Sequence, residues 1–297
     1  MHITIGIFGD NELAKKLGKP GTTNDIMICN HADSAGVLTY VCPNSDKIQP
    51  LLQSLAMIDF PVIVVKEITK EIGEIIIAID EMDFQNGFII GDKNMLEPII
   101  RNTGMGKFPF ISEDELMENI LKVNVHRSSE PLLIPIDNYF DVKSVGTVIL
   151  GIMKSGSLKK YDKAIVEPLG KEVIIKGIQS QDNDFNEANA GMRVGLNLKG
   201  VEADELKRGF VICNNMKKSD RVTVKFRKSR FFRNELKSGM PVFLSCGLQV
   251  ITSVVESCGE TLVLKLQQPV AYTENQHCII ASQNEALPRI IGSGTIQ

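Results

Sequence analysis

Three short stretches of this 297-residue sequence carry residue types that could do chemistry. Cys42 follows an apolar run, and with His31 near it in sequence it could act as a nucleophile. Residues 104–107 resemble a phosphate loop because a lysine follows two glycines, but no hydroxyl residue comes next. An acidic cluster could bind a cation and comprises Asp80, Glu81 and Asp83. We interpret the first two as loops and the cluster as a solvated helix end, so we predict no catalytic residue and no enzyme.

The cysteines and histidines predict no metal site. The six cysteines form no C-x-x-C pair, and the four histidines are far apart in sequence, whereas zinc sites need closely spaced ligands. We expect the cysteines to be buried apolar residues in a reducing compartment. No apolar run reaches the roughly 18 residues of a membrane span. These features predict a cytoplasmic protein with no membrane partner.

The charges are distributed unevenly along the chain. Residues 1–130 carry a net charge of −8, residues 131–213 a net charge of 0 and residues 214–297 a net charge of +5, within a total of −3. Nine cations concentrate in one window, with Phe226, Phe231 and Phe232 between them: Lys217, Lys218, Arg221, Lys225, Arg227, Lys228, Arg230, Arg233 and Lys237. The window is either a solvated strand face or a surface that follows nucleic-acid phosphates.

Positioning these residues requires two kinds of architecture. Up to residue 123, apolar strand-like runs alternate with helical spacing, as in residues 48–57 and 113–123, which predicts an α/β domain with a mostly parallel sheet. Ser112 and Glu115 have the spacing of a helix capping box. Residues 108–111 are predicted to be a further strand.

The remainder of the chain predicts two all-β units. Short apolar runs separated by glycines recur about every ten residues from Pro131 to Cys213, as in a small closed barrel. Beyond Arg221 a second set of short strands predicts another small barrel or sandwich. We therefore predict domains at residues 1–126, 131–213 and 217–297, with residues 124–131 as the first linker.

The two β units carry glycine-rich motifs: Gly146-Thr-Val-Ile-Leu-Gly151, Ala190-Gly-Met-Arg-Val-Gly195, Leu206-Lys-Arg-Gly209 and the closing Arg289-Ile-Ile-Gly-Ser-Gly294. In this order and spacing they resemble domains II and III of the translational GTPases, a family that includes elongation factor Tu and the selenocysteine-specific elongation factor. The resemblance implies a P-loop GTPase-like α/β domain followed by two β barrels.

The α/β domain lacks the sequence motifs by which that family binds GTP. After the first strand, Gly9 and Asp10 stand where the pattern G-x-x-x-x-G-K-[ST] would begin, and that pattern occurs nowhere in the chain. Cys42 and Pro43 replace the metal-orienting D-x-x-G motif, and Asp92 and Lys93 stand at the base-reading motif without its aspartate. A D-x-x-G at residues 33–36 precedes its strand and is interpreted as accidental. We predict a pseudo-GTPase that uses neither GTP nor Mg²⁺ as a cofactor.

The resemblance also implies an RNA partner, tRNA or the ribosome, and no DNA. The residues predicted to contact RNA phosphates are Lys225, Arg227, Lys228, Arg230, Arg233, Lys237 and Arg289. The family holds an aminoacyl group on domain II, at the positions of Asp137, Asn138 and Phe140 in this sequence. Two other hypotheses remain open: an elongation factor that still binds GTP through a modified site, and a regulator that imitates a translation factor and binds another translation protein.

Overall fold

The computed structural model describes residues 2–34, 36–284 and 286–297 as three consecutive domains. The first is an α/β domain. Its strands are β1 (His2–Phe8), β2 (Lys19–Thr23), β3 (Ile26–Asp33), β4 (Gly36–Pro43), β5 (Phe60–Val65) and β6 (Phe88–Gly91). Its helices are α1 (Asn11–Leu17), α2 (Ile48–Met57), α3 (Lys70–Glu81), α4 (Lys93–Ile100) and α5 (Glu113–Leu121), with a 3-10 helix at Gly104–Lys107.

The α/β sheet has the order β2-β3-β4-β1-β5-β6. Strands β4, β1, β5 and β6 are parallel, whereas β2 and β3 extend the sheet in antiparallel fashion. The central strands are apolar on both faces because helices cover both sides, as parallel sheets require. The predicted capping box at Ser112 is confirmed, with the Ser112 amide donating to Glu115 at 2.8 Å.

Two details of the α/β prediction are wrong. The predicted strand at residues 108–111 is only an isolated bridge between Phe110 and Ile89, because Pro109 cannot donate to a ladder. Strand β2 was not predicted, since its sequence Lys-Pro-Gly-Thr-Thr has no apolar alternation and lies at the sheet edge.

The second domain is a closed barrel. Its strands are β7 (Leu133–Val142), β8 (Gly146–Ile152), β9 (Ser157–Lys159), β10 (Lys163–Glu167), β11 (Lys171–Ser180), β12 (Asn183–Phe185), β13 (Glu187–Asn189), β14 (Arg193–Lys199) and β15 (Val211–Cys213). Six of these close a circuit in the order β10-β15-β7-β8-β14-β11, because β10 also pairs with β11. A 3-10 helix at Ala203–Glu205 leads into β15.

The third domain is a six-stranded closed barrel with the order β16-β19-β18-β17-β20-β21. Its strands are β16 (Lys217–Lys228), β17 (Pro241–Cys246), β18 (Gln249–Cys258), β19 (Leu262–Tyr272), β20 (His277–Ser282) and β21 (Ile290–Ile296). Close packing between strands explains the first glycine of the closing Arg-x-x-Gly-x-Gly motif. A Cβ atom at Gly292 would lie 2.3 Å from the Arg227 carbonyl oxygen, so only glycine lets β21 approach β16 this closely.

One apolar cluster extends through all three domains, beside the separate core of each barrel. Side chains of α2 and α3 cluster with Ile152 of the second domain and with Leu248, Ile279 and Ile290 of the third. At the junction, the Gln53 amide of α2 donates to the Leu248 carbonyl oxygen at 3.0 Å. Among the described residues, no helix is long and apolar enough to cross a membrane.

Candidate functional site

The first nucleotide-motif position is occupied by an aspartate that belongs to the fold. Asp10 is the N-cap of α1: its carboxylate accepts from the Glu12 amide at 3.0 Å and pairs with Lys66 at 2.6 Å. The hydrogen bond from Lys66 is the largest cause that lowers the pKa of Asp10. A helix N-terminus attracts anions, and here the chain's own carboxylate takes that place.

The turn before Asp10 is tightly packed. Gly9 has φ +92°, and a Cβ atom there would lie 2.1 Å from the Val64 carbonyl oxygen. The turn borders an open groove of about 700 Å³ at the carboxyl ends of the parallel strands. The groove carries four carboxylates and two cations: Asp10, Asp46, Glu71, Glu74, Lys47 and Arg289. This acidic lining disfavours a polyphosphate.

The two other nucleotide-motif positions are also structural. Cys42 is fully buried, which raises the pKa of its thiol to about 12, so it is no nucleophile at neutral pH. Asp33 and Gly36 are register partners at the turn from β3 to β4, at the opposite end of β4 from Cys42. Asp92 caps α4, accepting from the Asn94 amide at 2.8 Å, and Lys93 is the exposed first residue of that helix.

Residues 104–107 form no phosphate loop. The Gly104 amide donates to the Asp80 carboxylate at 2.8 Å, and the Lys107 ammonium donates to Gln85 at 2.8 Å.

The histidine and cysteine side chains that the structure describes form no catalytic pair at Cys42, because His31 pairs with Asp33 at the far end of the hairpin from Cys42. Five cysteines are buried, but Cys258 is exposed, which corrects the expectation for that residue. Within residues 2–34, 36–284 and 286–297, no cluster of metal-ligating side chains occurs.

The acidic cluster and the basic window meet across a domain interface, so Asp80 and Glu81 do not form a solvated helix end, whereas Asp83 is exposed. Glu81, at the end of α3, is 2% exposed and accepts from Arg227 at 3.1 Å and from the Ser293 hydroxyl at 2.6 Å. Asp80 pairs with Arg230 at 3.5 Å. Part of the opposite net charge of the first and third domains is therefore used to join them.

Arg289, which was predicted to contact RNA, is bound to the α/β domain in the structure. Its guanidinium binds the buried carboxylate of Glu74 through several hydrogen bonds and donates to the Asp46 carbonyl oxygen at 2.8 Å. The Arg289 backbone amide also donates to Glu74, at 2.6 Å. A bidentate pair of this kind is a structural link between α3 and the start of β21.

Four predicted RNA contacts remain exposed and form no ion pair within the part of the chain that the structure describes. They are Lys225, Lys228, Arg233 and Lys237. The Lys228 ammonium lies 5.8 Å from the centroid of the Phe232 ring, and the Arg230 guanidinium lies 4.7 Å from that of Phe231. The window is thus divided: Arg227 and Arg230 face the α/β domain, whereas these four cations stay available.

The three predicted aminoacyl-pocket residues lie on β7 and differ in burial and in partners. Asp137 is buried and forms a two-pronged ion pair with Arg193, at 2.6 and 3.1 Å. Asn138 is half-buried and accepts from the Tyr139 amide, and Phe140 is 40% exposed. Asp137 is thus paired with Arg193, and the aminoacyl-pocket role of the three residues stays a prediction.

Arg193 borders a larger groove, of about 980 Å³, between the α/β domain and the second domain. The α/β side contributes the cations Lys15, Lys16 and Lys19 together with Asn30 and His31. The barrel side contributes the amides of Gln179 and Gln181, the Ser180 hydroxyl and the Asp182 carboxylate. Sequence reasoning missed this groove because its lysines stand in a domain of net negative charge and become adjacent to barrel residues only in the folded chain.

The second domain is held against the α/β domain by charged groups. Arg208 forms a bidentate pair with Asp25, both contacts at 2.8 Å, and this hydrogen bonding is the main cause that lowers the pKa of Asp25. The Lys154 ammonium donates to the Met57 and Ile58 carbonyl oxygens at the end of α2. Burial lowers the pKa of Lys154 to about 8.

Comparisons with known proteins follow the same domain pattern. Residues 146–213 match the family model described as Elongation factor Tu domain 2. An uncharacterized protein of Methanocaldococcus jannaschii is 37% identical over 307 residues, which cover 99% of each chain. The selenocysteine-specific elongation factor of the same organism is 33% identical over 127 residues, which cover 42% of this chain but only 27% of that factor.

The fold is similar to that of translation elongation factor SelB from Methanococcus maripaludis, solved in complex with the GTP analogue GppNHp. The TM-score is 0.85 and the identity 21%, with 100% of this chain and 79% of that chain covered. At that identity the likeness concerns the fold. The order of one α/β domain and two barrels is therefore shared.

Proposed function

This chain belongs to a translational GTPase-like family, and we propose that it binds an RNA of the translation machinery, tRNA or ribosomal RNA, without hydrolysing GTP. In this proposal the α/β domain is a scaffold. The barrels and the groove beside the second domain hold the RNA.

One observation carries the loss of GTP chemistry. The Asp10 carboxylate caps α1 and pairs with Lys66 where a bound phosphate would meet the helix N-terminus. A phosphate at this place would have to displace a paired carboxylate and lie beside it, at an energetic cost from like-charge repulsion. The absence of a P-loop lysine and hydroxyl from the sequence supports the same conclusion.

Cations in two places support RNA binding. Lys225, Lys228, Arg233 and Lys237 are exposed on the third domain, and Lys16 and Lys19 line the groove between the first two domains. Phosphate contacts supply much of the affinity for nucleic acid and make it depend on salt. The family supplies the kind of RNA, because its relatives are named as elongation factors.

Nucleotide binding is tested by titrating fluorescent GTP and GDP into the protein with Mg²⁺, beside a competent elongation factor as the positive control. We expect no binding at micromolar concentrations. Micromolar affinity would contradict the proposal and favour the second candidate, an elongation factor with a modified GTP site. The groove of about 700 Å³ beside Gly9 is the observation that keeps this candidate open.

RNA binding is tested by crosslinking in cells followed by sequencing and by affinity measurements on the RNA that is recovered. If about four cations contact phosphates, log K falls with log salt at a slope of about −3 to −4, or roughly a hundredfold between 50 and 200 mM. Reversing the charge of Lys225, Arg233 and Lys237 together should reduce crosslinks strongly. Lys93→Glu, at an exposed lysine outside this set, is the matched control. A flat salt response, or unchanged crosslinks in the triple variant, would exclude this surface.

A further inference from the structure

A strained and exposed tyrosine occupies the turn between β9 and β10 of the second domain. Tyr161 has φ +74° and is 65% exposed. Bulky residues rarely adopt this left-handed conformation, where glycine is usual. The conformation is fixed by backbone bonds, since the Tyr161 amide donates to Ile175 at 2.7 Å and the next amide, of Asp162, donates to Lys159 at 3.1 Å.

The Tyr161 side chain contributes little to the packing of the barrel. Tyr161 lies outside the apolar core of the second domain, and its ring faces solvent. Both the backbone conformation and the exposed ring disfavour a tyrosine on stability grounds. Strain of this kind, kept at an exposed position, marks a candidate functional residue.

Two lysines lie against the Tyr161 ring. The ammonium groups of Lys160 and Lys176 are 5.4 and 5.7 Å from the ring centroid. Within the described part of the chain neither lysine forms an ion pair, whereas the nearby lysines Lys159 and Lys163 pair with Glu187 and Glu172. The turn therefore combines an exposed aromatic ring with two ammonium groups that lie over it and form no ion pair among the described residues.

A second exposed aromatic ring lies next to this turn. Phe185, at the end of β12, is 40% exposed. The following residue, Asn186, accepts from the Lys160 amide at 2.9 Å, so the two backbone segments are in contact. We name the surface of Lys160, Tyr161, Lys176 and Phe185 the lysine–tyrosine patch.

We propose that the lysine–tyrosine patch binds unpaired RNA: a base stacks on Tyr161, and the Lys160 and Lys176 ammonium groups move from the ring to the flanking phosphates. Aromatic rings stack with any base, and cations beside them follow the backbone, which is the combination that single-stranded nucleic acid requires. An acidic peptide would use the lysines but would not need the ring. The inference rests on the proposed function for its ligand class, but it assigns a different surface, far in sequence from the cations of the third domain.

The test measures affinity of the full chain for a short fluorescein-labelled single-stranded RNA and for the same RNA annealed to its complement. We expect Tyr161→Leu to weaken single-strand binding by roughly 5- to 150-fold, the value of one stacked base, and to leave duplex binding unchanged. Tyr161→Phe should bind like the native chain because it keeps the ring. Tyr161→Gly should lose single-strand affinity while its melting temperature stays the same or rises, since glycine accepts the left-handed conformation.

Lys160→Gln with Lys176→Gln should lower the salt slope for single-stranded RNA by about 1.4, at roughly 0.7 for each phosphate contact. Tyr161→Leu binding as tightly as the native chain would overturn the proposal, as would a native chain that binds no single-stranded RNA. If Tyr161→Leu has no effect while charge reversal at Arg233 and Lys237 abolishes RNA binding, the patch is excluded and the proposed function stands. If Tyr161→Leu weakens RNA binding while charge reversal at Arg233 and Lys237 does not, the patch is supported and the third-domain surface is excluded.

Discussion

At the scale of single residues, the main determinants are charged side chains that the fold has paired. Glu74 and Glu81 are each 2% exposed, and both accept hydrogen bonds from arginines of the third domain. Buried carboxylates are tolerated when they are paired and hydrogen-bonded. The arginines that look from the sequence like RNA contacts are therefore partly structural.

The Arg289 pair gives a prediction about stability. Arg289→Met leaves Glu74 as an uncompensated buried carboxylate, so we expect the free energy of unfolding to fall by about 3–5 kcal/mol in urea denaturation. The matched control is Lys217→Met, which removes an exposed pair with Glu274 and should cost less than about 1 kcal/mol. Adding Glu74→Gln to Arg289→Met should recover part of the loss. If Arg289→Met and Lys217→Met lowered the free energy of unfolding by the same amount, the buried pair would contribute no more to stability than the exposed pair.

At the scale of elements, the connection from β1 to α1 explains why the α/β domain lacks a phosphate site. The helix begins two residues after Gly9, and Asp10 caps it. Gly9 combines a left-handed backbone with a close approach to β5. The turn is thus fixed by packing and by its cap, with no loop between strand and helix that could enclose a phosphate.

Gly9→Ala tests how tightly this turn is fixed. The substitution adds left-handed strain and a Cβ atom against the Val64 carbonyl oxygen, so we expect a loss of about 2–5 kcal/mol in the free energy of unfolding. Gly239→Ala is the control, because its φ is +82° but no atom lies within 4 Å of the added Cβ. It should cost only the strain, about 1–2 kcal/mol. A cost for Gly9→Ala no larger than that of the control would mean that the turn relaxes.

At the scale of the whole molecule, the three domains are joined by a shared apolar core and by ion pairs at several places. Gln53 bonds to Leu248 of the third domain and also accepts from Arg208 of the second, at 3.3 Å. Arg208 and Arg289 anchor the two barrels to the α/β domain. The contacts between the domains therefore fix how the three domains are placed relative to one another.

We therefore expect the chain to unfold as one unit. Differential scanning calorimetry should show one transition whose calorimetric and van't Hoff enthalpies agree. The double variant Arg208→Met with Arg289→Met should broaden this transition or divide it in two, because both anchors to the α/β domain are lost. Lys217→Met with Lys122→Met removes two exposed pairs as the control and should leave one transition. Two separate transitions in the native chain would contradict this.

The sequence by itself determined the fold class, because that depends on local patterns. Helix α2 has the predicted bounds, residues 48–57, since apolar residues recur there with helical spacing. The glycines of the two barrels have fixed spacing because strands pack closely at those positions, and this spacing indicated the family. Strand β2 was not predicted because its sequence, with lysine, proline and threonine, has no alternation of apolar and polar residues.

Only the tertiary structure decided which charges are free. A sequence gives the number of cations in residues 217–237. An ion pair depends on two side chains that are often distant in sequence: Arg227 and Glu81 are more than a hundred residues apart. The same holds for the groove beside Arg193, whose two sides are more than a hundred residues apart in sequence. In the lysine–tyrosine patch, strand pairing brings together segments within residues 160–185. Electrostatic pairing acts through space, whereas strand and helix patterns act along the chain, and this is why the fold was predictable and the binding surfaces were not.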